Sequence, residues 1–225
     1  MIKPILFSTD MVRAILDGRK TQTRRIVKLK YNNTHFKIVN GDLWKQENVP
    51  QPEKLPDGRT RHAVVCTIVR RPQYSIGDIL WVRETFCRLY QLDDREQVID
   101  GTGKYYYAAD GYNPTPFNHF LDADGGWREQ GCPKWSPSIH MPKEAARIFL
   151  RVTGVRVERL NDITAEDCLA EGTEPEAMEV GADFTRGIFH GMWDVLYSKT
   201  EYAWGHNPWV FVYEFERCER PEEAK

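Results

Sequence analysis

The hydrophobic residues near the N-terminus predict a short strand followed by a helix. Residues 5–7 are apolar, and the apolar positions that then recur at helical spacing are Val12, Ile15 and Leu16. The candidates for the N-cap of this helix are Ser8, Thr9 and Asp10. Gly18 is expected to end the helix, because glycine commonly follows a helix C-terminus. The polar residues beyond it, up to Val27, predict a strand.

Two further helices are predicted in the C-terminal half. The second spans residues 164–172, where Thr164 and Asp167 have the spacing of a capping box. Its apolar face consists of Ala165, Cys168 and Leu169. At about 100° per residue, Glu171 falls roughly 60° from Cys168, on the border of that face, where an acid that lines a cleft would lie. The third helix covers about residues 184–197 and is expected to bury Phe184, Ile188, Met192 and Leu196.

Strand-like runs occupy most of the remaining ordered sequence. Gly77 and Asp78 predict a turn before a half-buried strand. Residues 148–152 and 155–160 predict two strands joined by a bulge at Gly154, and 208–215 predicts a central strand that is apolar on both faces. Residues 29–73 and 88–143 are rich in turn residues and are interpreted as two inserts in one domain. The fold class is therefore α+β.

Composition excludes several functional classes. The chain has 225 residues, 41% of them hydrophobic, and a formal net charge of −2, which is ordinary for a soluble protein and argues against non-specific coating of nucleic acid. No apolar run approaches membrane-spanning length. Five cysteines without a CxxC pair indicate reduced thiols and a cytoplasmic protein. Six histidines without zinc-like spacing predict no metal site, and no cofactor is expected.

The most informative segment is the sequence Gly-Arg-Lys-Thr-Gln-Thr-Arg-Arg at residues 18–25. In an extended backbone Thr23 and Arg25 share one face, while Gln22 and Arg24 point the other way. A turn at Lys20 could bring its amine close to Thr23, which would assemble a nucleophile with its base, or a phosphate-binding corner. A local basic segment on a near-neutral chain suits one anionic ligand or a short nucleic-acid segment.

This segment, together with three others, resembles the ASCH domain family of the PUA-like barrel superfamily. The other parts of the resemblance are residues 77–82, 155–172 and 209–215. The segments at residues 81–86 and 138–142 resemble those of a longer subgroup of the family that is often encoded by phages and prophages. The resemblance covers about half of the chain in four blocks, and it implies a partly closed barrel of about six strands with flanking helices and the two inserts.

The resemblance also implies a reaction. Small bacterial members of the family hydrolyse 4-acetylcytidine, and the proposed catalytic set matches Lys20, Thr23 and Glu171 by position in the motifs. Thr23 would supply the nucleophilic oxygen, Lys20 the base and Glu171 the proton for the leaving amine. The expected partner is a modified nucleoside or RNA, with a monomer favoured. The alternatives are a non-catalytic RNA- or DNA-binding phage regulator and an ASCH-type ribonuclease.

Further residues are candidates for binding a nucleoside or nucleic acid, and each has an ordinary structural alternative. These candidates are Arg19, Arg24, Arg25, Trp81, Arg83, Glu84, Trp135 and His140. Arg19 and Arg24 are expected to face solvent or phosphate, and Arg25 to grip a phosphate or carbonyl or to pair with Glu84. Trp81 suits a core position better than base stacking. Arg83 and Glu84 cannot both point inward, and an ion pair is the alternative to a cleft role. Trp135 and Tyr105–Tyr107 could stack on bases or form the small core of an insert; His140 could contact a base edge or lie in an ordinary loop.

Overall fold

A computed structural model gives the fold. It describes residues 1–28, 36–39, 42–48, 53–54, 60–61, 64–90, 93, 95, 97, 99–111 and 135–222, with the backbone alone between 36 and 70. The strands are β1 (Ile2–Leu6), β2 (Gln22–Ile26), β3 (Phe36–Val39), β4 (Asp42–Asn48), β5 (Glu53–Lys54), β6 (Thr60–Arg61), β7 (Val64–Arg70), β8 (Ile79–Arg83), β9 (Phe86–Leu89), β10 (Lys104–Tyr107), β11 (Phe149–Arg159) and β12 (Trp209–Cys218). The α-helices are α1 (Thr9–Leu16), α2 (Ala165–Ala170), α3 (Glu176–Val180) and α4 (Ala182–Tyr197).

The architecture is mixed α+β, as predicted. The larger sheet has the strand order β1-β8-β11-β12-β2, so β2 is an edge strand among those that the structure describes. Smaller antiparallel sheets have the orders β10-β9, β3-β4-β7 and β5-β6, and the range of the first predicted insert contains β3 to β7. The chain divides into two compact units, and β11 and β12 each contribute residues to both.

The first unit contains residues 1–21, 77–151 and 216–225. Strand β1 runs parallel to β8, with Ile2 opposite Ile79, and β8 runs antiparallel to the start of β11. Strands β9 and β10 form a hairpin. A buried apolar cluster, formed by Phe86, Met141, Ala145, Ala146 and Phe149, lies against half-buried Trp81, Tyr105 and Tyr107. Burial of this apolar surface stabilises the unit.

The second unit contains residues 22–76 and 152–215. Strand β12 pairs antiparallel with β2, and Tyr213 is the partner of Thr23. Helices α2 and α4 pack against each other and cover one face of these strands, because Cys168 and Phe189 join a core cluster with Val210 and Val212. The other members of that buried cluster are Leu160, Ile163 and Trp193.

Most local signals in the sequence are confirmed. Helix α1 is capped by the Ser8 hydroxyl, and Gly18 has a φ of 78° after its last turn. Thr164 and Asp167 form the capping box of α2. Gly77 has a φ of 84° in the turn before β8. Strand β12 is central, lying between β11 and β2.

The face predicted for the third helix is displaced by one position. Phe184 and Leu196 are 51% and 60% exposed, and Ile188 and Met192 are half-buried. The buried residues of α4 are Thr185, Phe189 and Trp193, one position further along each turn. The larger aromatic rings fill the space above β2 and β12. Thr185 can be buried because its hydroxyl donates a hydrogen bond to the Gly181 carbonyl and is not left unpaired. Both sets of positions recur every four residues, so spacing alone could not show which set faces the core.

The two strands predicted on either side of Gly154 form one continuous strand, β11. A Cβ on Gly154 would meet the Glu214 carboxylate, so a larger residue at this position would have to displace that side chain. Helix α3 was not predicted, because its five residues are too few for a periodic signal.

Candidate functional site

Strand β2 presents the predicted basic motif with its side chains on two faces. Gln22 and Arg24 point towards α2, where both contact Asp167. Thr23 and Arg25 point the other way, and Arg25 Nη1 donates a hydrogen bond to Thr23 Oγ1 at 3.0 Å. The predicted alternation is confirmed.

Arg24 is the centre of a buried ion-pair cluster. Its Nη1 donates to Glu171 Oε1 at 3.0 Å, and its Nη2 donates to Asp167 Oδ2 at 2.9 Å. Its Nε and Nη2 both donate to Glu158 Oε1, at 3.0 and 2.6 Å. The side chain is 1% exposed. Such a cation is stable in the interior only because three carboxylates surround it.

The cluster continues through a second arginine, Arg156. Its guanidinium bonds to Glu158 at 3.0 Å, to Asp167 at 2.9 Å and to the Glu214 carboxylate. Burial lowers the pKa of Arg24, but attraction to its carboxylates outweighs this and raises the pKa overall. Burial raises the pKa of Asp167, but the hydrogen bond from Gln22 and the charges of Arg24 and Arg156 lower it by more. The pKa of Asp167 is therefore below its ordinary value. Both groups are therefore charged near neutral pH.

The expectation that Arg24 faces solvent or phosphate is wrong. Arg24 is buried because β11 and α2 supply the three carboxylates on its face of β2. Arg19 is half-buried, and its Nη2 pairs with Asp17 at 3.1 Å. These pairings neutralise much of the charge that made the segment look like a basic patch.

Glu171 is the C-cap residue of α2 and is 4% exposed. The sequence predicted a carboxylate on the border of the helix, whereas the structure buries it. The turn at Gly172, with a φ of 100°, ends the helix at this point. Arg24 fixes one of the carboxylate oxygens. Glu171 therefore lies on the Arg24 face of β2, and Thr23 points to the opposite face.

The Thr23 face is polar and aromatic. Thr23 is 1% exposed, and its cross-strand partner Tyr213 is also 1% exposed. The Tyr213 hydroxyl accepts a hydrogen bond from the Gln73 backbone N–H at 2.9 Å. Tyr74 packs edge-on against the Tyr213 ring, with centroids 5.0 Å apart. Burial raises the pKa of both tyrosines, although the charge of Arg25 acts in the opposite direction.

Lys20 belongs to the first unit and is 2% exposed. Its backbone N–H donates to the Ala14 carbonyl at 2.9 Å, which places the residue directly after the end of α1. Its Nζ lies 5.7 Å from the centroid of the Phe7 ring. A buried lysine is uncommon in folded proteins, since an ammonium group loses much of its hydration there.

The candidates on β8 and directly after it take structural positions. Trp81 packs against the core cluster of the first unit, and the Arg83 guanidinium lies 5.4 Å from its ring centroid and donates to the Ile139 carbonyl. Glu84 is 1% exposed and accepts two hydrogen bonds from Arg147, at 2.9 and 3.0 Å. Burial raises the pKa of Glu84, and Arg147 opposes that effect. Glu84 therefore takes part in an ion pair, as the structural alternative predicted, but its partner is Arg147 and not Arg25.

The candidates of the second predicted insert do not form a stacking platform among the described residues. Tyr105 and Tyr107 lie against the core cluster, and their hydroxyls donate to Glu144 and to the Ala145 carbonyl. Trp135 is half-buried directly before Ser136, which forms a bridge to Phe86. His140 is exposed at the end of a short 3₁₀ turn, Ser138–His140.

Sequence reasoning missed the residues that surround β2 in space. Glu158, Asp167 and Tyr213 belong to predicted elements, but each reaches the site only through pairing or packing of distant segments. The charge pattern of β11, with Arg156 and Glu158 two residues apart, was a usable signal for an ion-pair face.

Comparisons with known proteins return no relative. No family model, curated protein or solved structure matches the chain. The described His, Cys, Asp and Glu residues form no cluster of metal ligands. Among the described helices, none has the length and apolar character needed to cross a bilayer.

Proposed function

We propose that this protein is an amidohydrolase that removes the acyl group from the exocyclic amine of an acylated cytidine such as 4-acetylcytidine. In this proposal it is an ASCH-type protein with a PUA-like, partly closed barrel, and Thr23 is the nucleophile. The resemblance assigns the base to Lys20 and the acid-base role to Glu171. The observation that carries the proposal is burial: Lys20, Thr23 and Glu171 are 2%, 1% and 4% exposed.

Burial favours a chemical role for these polar groups. Polar residues on a solvated motif would be exposed, and burying them costs free energy unless hydrogen bonds compensate. Arg25 donates to Thr23 Oγ1, and a hydroxyl oxygen that accepts from a cation loses its proton more readily. The same guanidinium can bind the carbonyl oxygen as it gains negative charge.

The reaction balances with these groups and one water. Thr23 Oγ1 bonds to the acyl carbon while its proton passes to a base, the role that the resemblance assigns to Lys20, whose amine must then be neutral. The bond between the acyl carbon and the exocyclic nitrogen then breaks, and that nitrogen takes a proton from the carboxyl group of Glu171, the acid in this proposal, which releases cytidine. Water cleaves the remaining threonine ester, and the products are cytidine and acetate.

A nucleoside substrate is favoured over a nucleic-acid polymer. Binding to a phosphate backbone needs cations that are available to phosphates. Arg24 is instead buried among carboxylates, and Arg19 is paired with Asp17. These two arginines of the motif therefore pair with carboxylates of the protein itself and not with phosphates.

The role of Glu171 has a geometric requirement. Glu171 contacts Arg24 on one face of β2, whereas Thr23 points to the other face. For Glu171 to protonate the leaving nitrogen, its carboxyl group must reach the substrate around the edge of β2. A variant of this residue therefore tests the third catalytic role separately from the first two.

The experiment compares buried residues with exposed neighbours in the same segments. Purified protein is incubated with 4-acetylcytidine, and cytidine and acetate are quantified by chromatography. Thr23→Ala and Lys20→Ala should each lower kcat at least about 10³-fold, as expected for a lost nucleophile or base. Thr21→Ala, at an exposed position two residues from Thr23, should leave kcat unchanged.

Glu171→Gln is compared with Glu166→Gln, which alters an exposed acid on the same helix. A fall in kcat for Glu171→Gln alone supports the acid-base role, and equal rates for both variants assign Glu171 to the ion-pair cluster only. Absence of hydrolysis by the wild-type protein, with salt-dependent RNA binding that falls in Arg25→Ala, would replace the enzyme by the binding alternative.

A further inference from the structure

The Tyr213 phenol faces the same side of β2 as Thr23. The two residues are direct partners in the antiparallel ladder, so their side chains leave the sheet as neighbours. Both are buried, and Arg25, which bonds to Thr23, is close enough to Tyr213 for its charge to favour the ionised phenol.

The hydrogen bonding of this phenol is asymmetric. Its oxygen accepts from the backbone N–H of Gln73 at 2.9 Å, and the neighbouring backbone N–H of Tyr74 also stabilises negative charge on it. Among the residues that the structure describes, none accepts the proton of the Tyr213 hydroxyl. A buried donor without an acceptor costs free energy, so a bound group that accepts this proton is favoured.

We propose that the Tyr213 hydroxyl donates a hydrogen bond to the acyl oxygen of the substrate, which becomes an oxyanion when Thr23 attacks. This inference rests on the proposed function. Backbone donors on the phenol oxygen polarise its O–H bond and make it a stronger donor, and burial keeps the phenol protonated. Tyr213 keeps its proton throughout and stabilises the oxyanion by hydrogen bonding, while the positive charge of Arg25 balances the negative charge on the oxygen.

Tyr213→Phe tests the role, because it retains the ring and removes only the hydroxyl. Loss of one oxyanion donor should lower kcat about 10²–10³-fold and change KM by less than about threefold. Tyr107→Phe is the matched control: it also removes a phenol hydrogen bond to the backbone, in the first unit, and should leave kcat unchanged. A purely structural role of Tyr213 would lower the melting temperature and leave kcat within about twofold, which would overturn the inference.

A second measurement does not depend on turnover. Protein labelled with ¹³C at the ζ carbon of tyrosine is titrated with sodium acetate, whose carboxylate resembles the oxyanion. The Tyr213 resonance, assigned by its loss in Tyr213→Phe, should shift saturably while that of Tyr107 stays constant. If the wild type hydrolyses 4-acetylcytidine and the Tyr213 signal does not move, the inference fails and the proposed function stands. If the wild type is inactive, the proposed function fails, and the titration alone decides whether Tyr213 binds an oxyanion.

Discussion

Strand β2 shows how alternate residues of one short motif acquire different tasks. On one face Gln22 and Arg24 enter a cluster of carboxylates from β11 and α2. On the other face Thr23 accepts from Arg25 beside Tyr213. The first face balances buried charge with buried charge. The second holds a hydroxyl oriented by a cation, and we propose that chemistry takes place there.

The comparison teaches that a basic motif does not define a basic surface. Arg24 and Arg25 are adjacent in sequence, yet Arg24 is buried and Arg25 is only half-buried. Their environments differ because a β-strand sends successive side chains to opposite faces. Changes on the Arg24 face should therefore lower stability, and changes on the Thr23 face should lower activity.

The strongest test of this division is Arg24→Met. Removing the guanidinium leaves Glu158, Asp167 and Glu171 without their shared cation, which should cost about 3–5 kcal/mol of unfolding free energy in urea denaturation. Arg19→Met is the control, since it removes a half-exposed cation paired with Asp17 and should cost less than about 1 kcal/mol. A loss below about 1 kcal/mol in Arg24→Met, no larger than that of the control, would show that the buried cluster adds little to stability.

The cover over the Arg24 face can be tested through α4. Phe189 is 5% exposed, and its ring centroid lies 5.9 Å from the Arg24 guanidinium carbon. Phe189→Ala should cost about 3 kcal/mol, because it leaves a cavity in the core of the second unit. Phe184→Ala removes the same side chain at a position that is 51% exposed and should change stability by less than about 0.5 kcal/mol. A larger loss for Phe184→Ala would restore the face predicted from the sequence.

How far the sequence predicted the molecule depends on the range of each interaction. The caps at Ser8 and Thr164 and the turn at Gly77 depend on neighbours within a few residues, and all were predicted. The alternation within β2 was predicted for the same reason. The face of α4 was not, because it depends on which aromatic rings fit above β2 and β12.

The candidate site was predicted only in its local part. Position in the motif selected Lys20 and Thr23, which are both buried. The partners of Arg24 lie 134 to 147 residues further along the chain, and no local pattern reports contacts of that separation. The same limit hid Tyr213, which reaches Thr23 through the pairing of β12 with β2.

The smallest expected effect is on the stability of the fold at low pH. The pKa of Asp167 is lower in the folded protein than its ordinary value, chiefly because Gln22, Arg24 and Arg156 outweigh the effect of burial. A depressed pKa means that the carboxylate stabilises the fold above the unfolded pKa of about 3.9, and that this contribution is lost as the pH falls through the folded value. Melting temperatures recorded from pH 7 down to about pH 2 should therefore fall less steeply below about pH 4 in Asp167→Asn than in the wild type.

The control for this series is Asp162→Asn, which changes an exposed acid five residues away. Its melting temperatures should follow the wild-type curve at every pH. If Asp167→Asn and the wild type lose stability in parallel below pH 4, Asp167 contributes no linkage in acid, and the Arg24 face is held by Glu158 and Glu171 instead.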